Sequence, residues 1–142
     1  MAKQKITQNQ IGNTVMVAAQ RPNGAASAVT GATILIFTQA DINVGSGYST
    51  GTGVFTAPRA GKYFVNFTGF KDNGAGSGAM WIRKNGTNLT RQYISVGSVY
   101  GPIGLTYIVQ CAINDTIDIY IGSGLVLHGN ESSQLVIMYV GE

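Results

Sequence analysis

From Thr33 onwards the chain is built of short apolar runs separated by turn signals every eight to twelve residues, and no segment carries the sustained stripe of a long amphipathic helix. A chain with that texture can bury its apolar residues only by pairing strands, so an antiparallel sandwich or barrel is the expected architecture. ATILIFTQ (32–39) reads as a strand, followed by a Gly-rich loop through DINVGSGYSTGTG. VFTAP (54–58) and KYFVNFTGF (62–70) read as two strands joined by a turn at Arg59, Ala60 and Gly61. Along the second, Tyr63, Val65 and Phe67 point one way while Phe64, Asn66, Thr68 and Phe70 point the other. Both faces carry aromatics, so Phe64 and Phe70 must meet a partner sheet, a loop or another subunit.

DNGAGSG (72–78) reads as a loop, and AMWIRKNGTNLTRQYI as a hairpin whose Asn85 and Gly86 supply the positive backbone angles of a tight primed turn. IGLTYIVQCAI (103–113) places Leu105, Tyr107, Val109, Cys111 and Ile113 on one face, and Asn114 with Asp115 turns the chain into TIDIYIG. There Ile117, Ile119 and Ile121 alternate with Asp118 and Tyr120, the pattern of a half-buried strand with a polar outer face. QLVIMYV (134–140) is an apolar run near the C-terminus and is expected to be a central strand. Residues 1–30 are polar and rich in small residues, and read as an N-terminal arm for docking or assembly, with room for a short strand or a short turn of helix, that precedes a domain over 31–142.

Composition constrains the surface. Charged residues make up 11% of the chain against 44% hydrophobic, well under the roughly 25% charged of an ordinary soluble domain. The exterior must be unusually neutral or partly hidden against other copies, and the second is favoured. The net charge of +3 comes from scattered basic residues, without the clustered stripe of a nucleic-acid interface. The start lacks a signal-peptide core, and there is no run of about 18 apolar residues to cross a bilayer. Neither a nucleic acid nor a membrane is an expected partner, and export by the standard route is not expected.

Candidate chemistry is thin. Cys111 falls on the apolar face of a strand while His128 falls in the turn-rich LHGNESS, so a thiolate pair is not expected. Asp115 and Asp118 read as solvated turn and strand charges rather than an acid/base pair. With Asn114 they offer oxygen ligands suited to calcium if copies converged on an axis, but no ligand loop of a recognised spacing is present. The Gly-rich runs at 45–53 and 74–78 precede no helix and so are not phosphate cradles. Trp81 offers a stacking surface for a sugar, but beside Ile82 in a strand it reads first as core. No catalytic residue, metal site or cofactor is assigned, and an enzyme is not expected.

Four segments carry a family resemblance. TGVFTAPRAGKYFVNFTGF (52–70), WIRKNGTNL (81–89), INDTIDIYI (113–121) and SQLVIMYVG (133–141) resemble, in order, the strands and turns of complement C1q-like globular heads. The resemblance spans residues 33–141 and is most specific over 52–65, where Gly53, Phe55, Pro58, Gly61 and Tyr63 carry it, with Asn85 and Gly86 in the hairpin. Asn114 stands where the family usually has Gly, an exchange that such a turn accepts. The resemblance implies an antiparallel jelly-roll β-sandwich of about ten strands, of the tumour necrosis factor superfamily, packed as a trimer with apolar faces along the threefold axis. Phe64, Phe70, Tyr120 and Tyr139 are the candidate subunit-interface residues.

A collagen stalk and a heptad-repeat arm are both missing. The chain therefore resembles the stand-alone trimeric appendage proteins of bacteriophage particles more than secreted animal relatives. The expectation is a virion structural protein, decorating a capsid or forming an appendage, that joins other virion proteins through residues 1–30. The alternative is the receptor-binding head of a phage tail fibre or bacterial surface filament, recognising a glycan or protein through loops around 41–53, 71–78 and 122–133.

Overall fold

The structure, a computed structural model, describes residues 14–21, 31–71, 76–95, 100–123, 127 and 133–142. The described residues form ten strands: β1 (Met16–Gln20), β2 (Thr33–Ile34), β3 (Gln39–Val44), β4 (Phe55–Thr56), β5 (Gly61–Lys71), β6 (Gly78–Lys84), β7 (Thr87–Ile94), β8 (Gly101–Cys111), β9 (Thr116–Ile121) and β10 (Gln134–Gly141). All their pairings are antiparallel. The first sheet runs β3-β1-β10-β5-β8, and the second runs β2-β9-β6-β7 with β4 also paired to β9. The expected all-β jelly-roll sandwich of about ten strands is the observed architecture, and β10 is central as its apolar run implied.

Three readings of the sequence are corrected. Met16–Gln20 is a short strand within the segment read as an arm, but it belongs to the sandwich and not to a segment preceding it, held on both sides by β3 and β10. Val15, Val17 and Ala19 are buried in the core, so the sandwich begins no later than Val15. Residues 1–13 and 22–30 of that segment lie outside the described residues. Second, the single strand expected over 32–39 is only Thr33–Ile34, and part of the expected loop after it is strand β3. Third, Tyr107 and Ile113 are 43% and 61% exposed rather than buried with Leu105, Val109 and Cys111. Tyr107 lies in an edge strand, where the opposing sheet gives less cover, and Ile113 lies beyond the end of β8.

Between β2 and β3 the chain leaves one sheet for the other, and Leu35 to Thr38 belong to neither strand. Leu35 and Phe37 are nonetheless fully buried. Backbone groups in such a place need partners. Leu35 N donates to Ile119 O at 2.8 Å, and Tyr48 serves Phe37 twice. Phe37 N donates to the Tyr48 hydroxyl at 3.0 Å, and that hydroxyl donates to Phe37 O at 3.3 Å. Gly53 lies against the same crossing with a φ of 75°, where a Cβ would stand 2.6 Å from Leu35 O. Only glycine meets both demands.

The core between the sheets is organised along β5. Tyr63, Val65 and Phe67 are fully buried. Phe67 meets Phe37 edge to face at 6.0 Å, and Tyr63 meets Phe55 at 5.3 Å and Tyr139 at 5.5 Å. At one end of the sandwich the β6–β7 hairpin turns on Asn85 and Gly86, with φ of 49° and 76°, as a primed turn requires. Asn85 Nδ2 donates to Asp115 Oδ1 and Asn85 Oδ1 accepts from Thr116 N, each at 2.8 Å, so this turn is tied to the β8–β9 turn. Asp115 Oδ2 also accepts from Ala112 N at 2.8 Å and pairs with Lys84 Nζ at 2.9 Å.

Two predictions follow from these ties. Tyr48→Phe strips both buried Phe37 groups of their partner and is expected to lower stability by about 1–3 kcal/mol, read from urea unfolding; an unchanged midpoint would remove the hydroxyl from this role. The Asp115 carboxyl is held down at about 2, first by the Asn85 side chain and then by Lys84 and Ala112 N. Its contribution to stability is therefore complete above the ordinary carboxylate range near 4 and is lost as pH falls towards 2. Asp115→Asn is expected to flatten the acid limb of the stability profile between pH 4 and 2, and an acid limb as steep as that of the unaltered chain would contradict it.

Candidate functional site

The outer face of the first sheet can be read row by row from the strand register. Val44, Met16, Met138, Phe64 and Ile108 stand opposite one another across β3, β1, β10, β5 and β8. At the usual strand spacing this unbroken apolar row is about 19 Å wide. Val44 and Ile108, on the edge strands, are 49% and 56% exposed, and the three between them are half-buried by their neighbours. The next row is Ile42, Ala18, Val136, Asn66 and Thr106, in which Asn66 Nδ2 donates to Thr106 Oγ1 at 2.7 Å. The third row is Gln39, Gln20, Gln134, Thr68 and Gly104. Beside it Asp41 accepts from Gln20 Nε2 at 2.8 Å and from Gln39 Nε2 at 2.6 Å. The face thus grades from apolar to amide along the strands, and no position in the three rows is charged.

The four interface candidates do not lie together. Phe64 is in the apolar row. Phe70 lies further along β5, stacked against Tyr100 at 6.5 Å. Tyr139 packs edge to face on Tyr63, under the Arg59 guanidinium at 4.0 Å. Tyr120 is on the outer face of the second sheet, 6.1 Å from Trp81. Alternation picked out Phe64; the other members of the row were hidden because only the register brings five separate strands into line. Of the motif residues, Phe55 and Tyr63 are in the core, and the Tyr63 hydroxyl donates to Arg59 O at 2.8 Å. Gly61 opens β5, and Pro58 is exposed in the preceding turn.

The residues weighed for catalysis and metal binding are committed elsewhere. Asp118 is 5% exposed, not solvated as expected, because Arg83 Nε closes on its Oδ1 at 2.7 Å. Asp115 is bound into the turn described above, beside Asn114, whose φ is 69°. Burial pushes the Cys111 thiol up to about 11, the reverse of what a nucleophile needs. His128 lies outside the described residues, as do 72–75, 124–126 and 128–132 of the expected recognition loops. Among the described residues no group of three or more His, Cys, Asp or Glu side chains could hold a metal ion. Trp81, expected first as core, is half-buried on the outer face of β6, because Met80 and Ile82 take the inward positions.

No family model and no curated protein matches the sequence. Solved structures do match. The globular domain of zebrafish complement 1qA superposes with a TM-score of 0.72 at 13% identity, over 90% of this chain and 97% of that one. Murine APRIL gives 0.72 at 13% identity, over 90% and 100%, and the Eiger TNF of S. frugiperda 0.74 at 9%, over 91% and 94%. With two antiparallel sheets and nearly full coverage of each, this chain has the jelly-roll fold of the C1q and TNF globular domains.

Proposed function

We propose that the chain is a non-enzymatic assembly module that forms a homotrimer by burying the apolar end of the first sheet's outer face, and that it serves as a structural component of a bacteriophage-type virion. The observation that carries the reading is the five-strand apolar row from Val44 to Ile108. A continuous uncharged strip of that width is the kind of surface that oligomers cover. A threefold arrangement is what the C1q resemblance implies, and the low charge of the sequence agrees with a hidden face. β1 begins at Met16, within the row, and the segment that precedes the described residues, 1–13, is the proposed tether to the larger particle. The recognition reading, a head that binds a cell-surface glycan or protein, differs in placing the contact away from this tether.

The expected mass in light scattering is three chains, for the full chain and equally for a chain starting at residue 14. Ile108→Asp puts a carboxylate into the buried strip at a cost of several kcal/mol and should yield monomers with an unaltered β-sheet circular dichroism spectrum. A trimeric Ile108→Asp protein would move the interface elsewhere, and a monomeric parent chain would end the trimeric reading. For the particle, an antibody against the chain should label virions released by lysis of the producing cells and lose that label when residues 1–13 are deleted. Label retained without them would favour attachment through another surface.

A further inference from the structure

The outer face of the second sheet has the opposite chemistry. Arg91, Trp81 and Tyr120 stand opposite one another across β7, β6 and β9, and the adjoining row is Tyr93, Ala79 and Gly122. Trp81 leans over Gly122, where a Cβ would come within 3.0 Å of the indole Cζ3 and 3.1 Å of Cη2. Gly122 and the small Ala79 therefore let the indole lie down on the sheet instead of standing off it. Tyr93, 63% exposed, rises beside it. Arg83 is engaged, its guanidinium 3.9 Å above the Tyr120 ring and its Nε on the buried Asp118 carboxylate. Arg91 is exposed, and among the described residues no carboxylate pairs with it. Together they make an aromatic floor with one guanidinium at its side that no described carboxylate engages.

We infer that this face binds a uronate-containing polysaccharide, with a sugar ring stacked on Trp81 and its carboxylate held by Arg91. A pyranose ring presents axial C–H groups to an aromatic face. In a hexuronate the carboxylate extends from the ring edge in the mean plane of the ring, so a ring lying flat on Trp81 carries it sideways. Directly opposed residues on neighbouring strands have Cβ atoms about 5 Å apart, which puts Arg91 within reach of that carboxylate, and the planar fork of guanidinium matches its geometry. The site is complete within one chain and on the sheet opposite the proposed trimer face, so it stands or falls independently of the trimer.

Trp81 is the sole tryptophan, which makes the test direct. The full chain is titrated with a hyaluronan oligosaccharide, a chitin oligosaccharide of equal length, and polyglutamate, following tryptophan emission. Hyaluronan is expected to give a saturable change; chitin, lacking the carboxylate, and polyglutamate, lacking the ring, should each bind at least about tenfold more weakly. Arg91→Gln should weaken hyaluronan about tenfold while leaving emission of the free protein and its mass in solution unchanged. Trp81→Phe, followed by calorimetry, should lose affinity while retaining the fold. No saturable change with hyaluronan, equal affinity in Arg91→Gln, or polyglutamate binding as tightly as hyaluronan would each overturn the inference.

Discussion

The inner face of β5 is the constraint on which the rest of the molecule depends. Tyr63 and Phe67 engage Phe55, Tyr139 and Phe37 edge to face, and those three rings come from β4, β10 and the crossing between β2 and β3. One strand thereby fixes the second sheet, its own sheet and the connection between them. Because side chains alternate along a strand, holding Tyr63, Val65 and Phe67 inward also fixes Phe64 and Asn66 outward. A slip of one residue would bury Asn66 and expose Tyr63. The composition of the outer face is therefore a consequence of how the core is packed.

That dependence explains what was legible in the sequence. Strands with two clear alternation classes, such as Tyr63–Phe67 and Ile117–Ile121, announced themselves, as did the Asn85–Gly86 turn, because period and turn chemistry are local properties. β1 was not legible: Val15, Val17 and Ala19 alternate with Met16 and Ala18, so small and apolar residues fall on both faces and the contrast is weak. The crossing at Leu35–Thr38 was read as strand because its alternation is strand-like; only Tyr48, eleven residues from Phe37, makes a break in the ladder tolerable there. Asp118 was read as solvated since its partner, Arg83, lies on another strand. The apolar row of the first sheet was legible only in Phe64, since a row drawn from five strands exists in the register and in no single stretch of chain.

The two outer faces divide the remaining chemistry in a way their positions in the sandwich make possible. The first sheet's outer face has an apolar row free of charge, so removing it from water costs no ion its hydration. The second carries Arg83, Asp118 and Arg91, and covering it with an uncharged surface would strand Arg91 without a counter-ion, at a cost of several kcal/mol. Assembly through the first face, as proposed, would leave the second one facing outward, in as many copies as the oligomer has chains. Weak sites repeated in that way gain avidity without any new contact.

The gradient along the first sheet sets a direction as well. The apolar row contains Met16 at the start of β1, and the same end of the sandwich carries the turn at Asn114–Asp115 and the C-terminus after β10. The amide row lies towards the other end, where β1 and β5 finish and β8 and β10 begin. Copies gathered by their apolar rows would bring the starts of β1 together at one pole and leave the ends of β1 and β5 at the other. The two poles are then separated by the length of β5, eleven residues, or roughly 36 Å at the usual rise per residue.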